Sequence, residues 1–171
     1  MSLYKNKKIT QPEFTFTFSG LTHTGCVRSK NEDSFINVPE QNLWVVADGM
    51  GGHDAGDFAS QTITQQAGKF TQQVLLEDSI LLLEENILNS NDIIKKKAQK
   101  LGAKTTIGST IACLYTWKNL AFLLWAGDSR IYRYRNQNFE RLTEDHSFVE
   151  ELVRLGKITA DEAETHPAAN V

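Results

Sequence analysis

Leu43-Trp-Val-Val-Ala-Asp-Gly-Met-Gly-Gly-His-Asp-Ala-Gly56 is the stretch on which the fold reading turns. Its first five residues are apolar throughout, which predicts a strand over 43–47 buried on both faces. Asp48 stands at the end of that strand, where a sheet holds a side chain rigidly. Gly49, Gly51 and Gly52 follow, and glycine lets a backbone carbonyl turn inward. A carboxylate beside an inward carbonyl is a hard-oxygen donor set suited to Mg²⁺ or Mn²⁺. The same residues also read as a glycine-rich turn with a capping Asp. Gly49-Met-Gly-Gly lacks the GxGxxG spacing, and no Gly-Lys-Ser/Thr follows, so neither dinucleotide nor P-loop binding is indicated.

Working outward, Phe14–Phe18 alternates apolar and polar, and Ser34–Val38 is a second strand signal. Pro39, Gln41 and Asn42 turn the chain into the strand at Leu43. Beyond Gly52 the period becomes helical, with Phe58, Ile63, Ala67, Phe70 and Val74 on one stripe. A second helix starts near Ser79, meets a break or a cap at Asn89-Ser-Asn-Asp92, resumes from Ile93 to Leu101 and stops at Gly102. Strands return at Ser109–Trp117, Leu120–Ala126, Arg130–Arg135 and Phe139–Leu142. The stretch from His146 to Ala163 is helical again, divided by Gly156, with Thr159 and Glu162 as a capping box. Strands come in runs, not in alternation with helices, which predicts an α+β protein with mostly antiparallel sheets.

Composition narrows the function classes. The 171 residues are 40% hydrophobic and 23% charged, ordinary for a globular domain. Lys+Arg is 18 against Asp+Glu 21, a net charge of −3, which argues against a nucleic-acid partner. No apolar run approaches the ~20 residues of a membrane span, and no apolar region follows the N-terminal lysines as in a secretory signal. Cys26 and Cys113 lie far apart without a CxxC, so both are expected as reduced core thiols, and the protein as cytoplasmic.

Two further clusters carry chemistry. Arg28-Ser-Lys-Asn-Glu-Asp33 offers a guanidinium fork for phosphate oxygens and two adjacent carboxylates. Glu32 and Asp33 reach one site only if the strand begins or bends there. Ala126-Gly-Asp-Ser-Arg130 places Asp128 between two strands. Each cluster alone reads equally as a charged turn. Together they give carboxylates at strand ends with arginines nearby, a set that points to metal-assisted phosphoryl chemistry.

The chain resembles the bacterial metal-dependent Ser/Thr protein phosphatases of type 2C, the PPM family. The resemblance rests on Thr24–Asp33, Val46–His53, Gly108-Ser-Thr110, Ala126–Tyr132, Thr143–Ser147 and His166-Pro-Ala-Ala-Asn170, in family order. It implies a β-sandwich flanked by helix pairs, with two Mg²⁺ or Mn²⁺ ions at one end and a bridging water that attacks phosphorus without a phospho-enzyme. Asp48 would bridge the ions, Gly49 would offer its carbonyl, and Glu32 and Asp33 would hold metal-bound waters. Arg28 would bind the substrate phosphate, with His166 also on the substrate side, and Asp128 would serve a third ion. His53 is a candidate general acid, or it only positions the loop or a water. Residues 146–169 would form a flap beside the site, and His23, His146 and His166 are expected as structural or flap positions.

The same resemblance implies that the family pattern continues past Val171 through strands bearing two more Asp ligands. Residues 14–171 then read as the N-terminal two-thirds of a catalytic domain, truncated at the C-terminus. Residues 1–13 read as an N-terminal extension, part of it tag-like. Asp48 would be left as the only firm protein ligand of one ion. The expected function is hydrolysis of phosphoserine and phosphothreonine in proteins by a monomer that opposes a Ser/Thr kinase, with no membrane or nucleic-acid partner. The alternatives are a non-catalytic phosphatase-like module that binds a phosphoprotein, and a hydrolase of small phosphate esters.

Overall fold

The computed structural model describes residues 2–3, 7–10, 14–51, 55–102, 105–146, 152–153 and 155–164. They fall into two compact units, Met1–Leu124 and Trp125–Val171.

The first unit is organised by β6 (Leu43–Gly51). It lies between β5 (Asp33–Val38) and β8 (Ile111–Trp117), with β9 (Leu120–Ala126) outside β8. A short β7 (Ile107–Ser109) pairs with the far end of β6. Both neighbours of β6 run antiparallel to it. Two hairpin-like pairs precede this sheet: β1 (Ser2–Leu3) with β4 (Leu21–Thr22), and β2 (Lys7–Thr10) with β3 (Thr15–Phe18). Part of the expected N-terminal extension therefore forms strands. The α+β class with antiparallel sheets is the class the chain adopts.

Burial along β6 alternates, and this decides where the site lies. Leu43, Val45, Ala47 and Gly49 are buried, whereas Val46 is 49% exposed. The expectation of a strand buried on both faces is thus corrected, because side chains of a strand alternate between faces and only one face meets the helices. That face packs Val45 and Ala47 with Ile111, Cys113 and Tyr115 of β8 against α1 (Ala55–Ala67) and α2 (Leu76–Leu101). Ala59, Ile63 and Ala67 of α1 and Leu83 and Ile94 of α2 complete the core. Lys97 of α2 lies over the Phe58 ring of α1, 5.4 Å from its centroid. On the other face, Phe16 and Phe18 of β3 pack against Trp44 at 5.4 and 6.0 Å.

The helices differ from their sequence patterns in two ways. The α1 stripe stops at Ala67. Phe70 is buried from the following loop, and Val74 is 91% exposed. The break expected at residues 89–92 is absent, since α2 runs unbroken through 26 residues. Ser90 is buried there and its hydroxyl donates to the Ile87 carbonyl, so a residue that signals a cap in isolation satisfies itself within the helix. Gly102 ends the helix at φ 120°, as expected. Among the described residues no helix is long and apolar enough to cross a membrane. Cys113 is buried as expected, but Cys26 is exposed, which corrects its reading as a core thiol.

In the second unit, β10 (Tyr132–Arg135) and β11 (Asn138–Arg141) form a hairpin. Asn136 and Gln137 take φ values of 51° and 62°, the paired left-handed geometry of a type I′ turn. A last helix, α3 (Ala160–Glu164), opens with the expected capping box. The Thr159 amide donates to Glu162 Oε2 at 2.7 Å, and the Glu162 amide to Thr159 Oγ1 at 3.2 Å.

Candidate active site

The carboxylates converge through strand register. The Gly49 amide donates to the Glu32 carbonyl at 3.0 Å, so residues 32 and 49 form a hydrogen-bonded pair. The next pair along, Asp33 and Asp48, is therefore a non-hydrogen-bonded one. In such a pair the Cα atoms come within about 4.5 Å and the side chains share one face. Two carboxylates are thus set directly opposite each other on the sheet face turned away from the helices. Like charges so placed destabilise a sheet unless something between them is positive. β6 does not end at Ala47 as expected. It stays extended through Gly51, because β7 pairs with Gly49, Met50 and Gly51.

Glu32 precedes the first residue of β5, which is the condition its neighbouring pair of acids required. Its carboxylate lies against Gly56, in the first turn of α1. A Cβ built on Gly56 would sit 2.6 Å from Glu32 Cδ and 3.0 Å from the Gly49 carbonyl oxygen. Conversely, a Cβ on Gly49 would collide with the Gly56 carbonyl. The two glycines permit a backbone crossing at which the Gly49 carbonyl, the Glu32 side chain and the start of α1 meet. The loop before it is shaped by polar contacts. The Asn31 amide group donates to Thr22 Oγ1 at 2.6 Å, its oxygen accepts from the Asp33 amide at 3.1 Å, and His23 Nδ1 accepts from the Gly25 amide at 2.9 Å. Arg28 is exposed in this loop.

Thr110 is the residue that the site reading of the sequence missed. Its amide donates to the Asp48 carbonyl at 2.8 Å, and its hydroxyl accepts from the Asp48 amide at 3.0 Å. Gly108-Ser-Thr110 belonged to the family resemblance but carried no role. The pairing spans 62 residues, so local pattern holds no trace of it.

In the second unit, the Gly127–Arg130 loop is tied to the segment after β11. Arg130 Nε donates to both Asp145 oxygens at 3.0 and 3.1 Å, and Arg130 Nη2 reaches Asp145 Oδ2 at 2.5 Å. This fork holds the Asp145 carboxyl below the usual carboxylate range, with Arg141 and His146 adding smaller effects in the same direction. The His146 amide donates to the Gly127 carbonyl at 2.9 Å, and its ring stacks on Trp125. Arg130 is thereby used to brace its own loop. Asp128 is exposed within it. His53 and His166 lie outside the described residues, as does much of the expected flap.

Among the described residues no three His, Cys, Asp or Glu side chains form a group that holds a metal by itself. The donors present are still of one kind: the opposed carboxylates of Asp33 and Asp48, with the Glu32 carboxylate and the Gly49 carbonyl at the adjacent crossing. All are oxygens, and Mg²⁺ or Mn²⁺ takes a few such ligands and keeps water for the rest. The residues therefore fit a hard divalent cation.

The protein phosphatase 2C family profile matches residues 18–155. The chain belongs to the protein phosphatase 2C family. It is 36% identical over 157 residues to the serine/threonine phosphatase stp of Listeria welshimeri, covering 88% of this chain and 62% of that protein. Among solved structures it is similar to PppA, a key regulatory component of T6SS in Pseudomonas aeruginosa, at 40% identity and a TM-score of 0.76. That match covers 88% of this chain and 61% of PppA. It is also similar to the catalytic domain of the serine threonine protein phosphatase PstP in complex with two manganese ions. There identity is 31% and the TM-score 0.71, with 84% of this chain and 61% of that one covered. The chain thus spans just over three fifths of the length of these protein phosphatase 2C relatives. Its carboxylate pair and glycine crossing both lie inside the matched region.

Proposed function

We propose that this chain is the metal-binding and phosphate-binding part of a phosphatase that hydrolyses phosphoserine and phosphothreonine in proteins. The observation that carries this reading is the direct pairing of Asp33 with Asp48 in the β5–β6 ladder. Two carboxylates facing each other across a ladder offer oxygen donors to one divalent cation. The family membership and the two manganese ions of the PstP catalytic domain support the same chemistry.

Asp48, with Asp33 and Glu32 beside it and the Gly49 carbonyl, would hold two Mg²⁺ or Mn²⁺ ions, and Asp128 a third. Bound cations supply Lewis acidity and a nucleophilic water at neutral pH. Arg28 would grip the phosphate oxygens with its planar fork, leaving phosphorus exposed to in-line attack. His53 is the candidate that returns a proton to the leaving serine or threonine oxygen, and His166 a candidate contact to the substrate. Phosphorylated proteins would be the substrates, in opposition to a Ser/Thr kinase, with the protein acting as a cytoplasmic monomer.

The test is Mn²⁺-dependent phosphate release from a phosphothreonine peptide by the longest form that the reading frame encodes. Activity that disappears in Asp48→Asn is the expected result. An inert protein at high Mn²⁺ overturns the catalytic reading. Turnover of small phosphate esters without peptide turnover replaces the protein substrate with a small one.

A further inference from the structure

Arg28 is carried on residues 23–32, the loop between β4 and β5. The ends of this loop are tied together, since the Asn31 side-chain amide donates to Thr22 Oγ1 at 2.6 Å. Its tip is not packed: Cys26 and Arg28 are exposed, and Val27 is 94% exposed. A Cβ built on Gly25 would meet nothing within 4 Å. With no burial to shape it, the tip takes its form from hydrogen bonds made inside the loop. One of them has a titratable acceptor. The amide of Gly25, at φ 80°, donates to His23 Nδ1 at 2.9 Å. At the far end of the loop Asn31 Oδ1 takes the Asp33 amide at 3.1 Å, over the same two-residue span but with an acceptor that does not titrate.

We propose that His23 is a positioning residue for Arg28: its neutral imidazole closes the turn that aims the guanidinium, and a proton on Nδ1 opens it. A backbone amide only donates, so Nδ1 in this turn holds a lone pair and the ring proton sits on Nε2. A second proton would set donor against donor and remove the bond, releasing Gly25 two residues before Cys26-Val27-Arg28 turns back towards Asn31. Histidine is the side-chain type that changes charge between pH 5 and 8. The other charged or thiol groups of the loop and of the start of β5 are Cys26, Arg28, Lys30, Glu32 and Asp33. β1, which pairs with β4, brings only Ser2 and Leu3. The inference rests on the reading of Arg28 as the phosphate-binding residue, and the experiment separates the two.

The experiment has two arms, both on the longest form that the reading frame encodes. In the first, NMR without metal follows the Gly25 amide and the His23 ring nitrogens from pH 8 to pH 5. At pH 8 the ring should show a bare Nδ1 and a protonated Nε2, and the Gly25 amide shift should move as the ring titrates. In the second, Mn²⁺-dependent hydrolysis of a phosphothreonine peptide compares wild type, His23→Ala and His23→Asn over the same range. Asn can take the Gly25 amide as Asn31 takes that of Asp33, and it does not titrate. At pH 8 His23→Ala should raise KM about 2–10-fold, the worth of one neutral hydrogen bond, with kcat little changed. His23→Asn should restore the wild-type KM. At pH 5 wild type should reach the KM of His23→Ala, while His23→Asn keeps the lower value. The second ionisation of the substrate phosphate, at about pH 6, acts alike on all three proteins and cancels in the comparison. In an Arg28→Ala background the His23→Ala step should change nothing. A protonated Nδ1 at pH 8, a Gly25 amide indifferent to the ring, or a His23→Ala effect that persists without Arg28 overturns the inference and leaves the phosphatase reading standing. If wild type releases no phosphate at pH 8 with Mn²⁺, that reading fails, and the inference falls with it whatever the NMR arm shows.

Discussion

Gly49→Ala tests the backbone crossing on which the site is built. The added methyl would meet the Gly56 carbonyl carbon at 2.5 Å and the Glu32 carbonyl oxygen at 2.9 Å, with the Gly56 oxygen closer still. Ordinary contacts of this kind are about 3.5 Å or longer, so relief requires α1 and β6 to separate by several tenths of an ångström or more. No flexible side chain stands between them to give way. Overpacking in a tight interior costs about 1–3 kcal/mol, and in a domain of this size each kcal/mol lowers Tm by about 2–4 °C. The expected fall is therefore about 2–12 °C, read by calorimetry or circular dichroism. Gly68→Ala is the control. Its methyl would meet the Ile36 Cδ1 tip at 2.7 Å, and that side chain has rotamers to yield. Its Tm should fall by clearly less. A Gly49→Ala protein that melts within a degree of wild type would refute the crossing, and with it the placement of the Gly49 carbonyl.

Other expectations follow from burial and charge. Leu83 is 1% exposed, so Leu83→Ala should cost about 2–5 kcal/mol in urea unfolding. Leu88 on the same helix is 65% exposed, and Leu88→Ala should stay within about 0.5 kcal/mol. The Asp145 carboxyl is held low chiefly by Arg130, so the folded state gains from that pair above the ordinary carboxylate pKa of about 3.9 and loses the gain as pH falls through the lower folded value. The Tm gap between wild type and Arg130→Gln should be present at pH 7 and should close towards pH 2. A gap that widens on acidification would contradict the pairing. Burial pushes the Cys113 thiol up to about 12, while Cys26 is exposed. A thiol reagent at pH 8 should modify one cysteine quickly in the folded protein and two only after denaturation. Two fast equivalents in the native state would refute the burial of Cys113.

Local physics made much of this legible in advance. Period-two and period-3.6 patterns located β3, β5, the start of β6, both long helices and the β10 and β11 strands, because each depends on residues near in sequence. The misses share one cause. Gly49, Met50 and Gly51 read as a loop since glycine disfavours strands, yet pairing to Ser109, Gly108 and Ile107 of β7 holds them extended. Asn89–Asp92 read as a helix break since these side chains compete for backbone bonds, yet the burial of Asn86, Ser90 and Ile94 on one face keeps the turn closed. Val46 read as core since apolar residues prefer burial, and only the placement of the helices decided which sheet face was covered.

What the sequence determined by itself is the chemistry on offer: oxygen donors at strand ends, a guanidinium for phosphate, and glycines where backbones must approach. Those are properties of residue types and their spacing, which a chain carries unfolded. What the tertiary structure decided is which donors meet. Asp33 faces Asp48 because the β5–β6 hydrogen bonds fall on residues 32 and 49 rather than one place along, and a slip of one would send the carboxylates to opposite faces. Thr110 reaches Asp48 across 62 residues for the same reason. Ladder parity is set by pairing between distant segments, and no segment contains it alone.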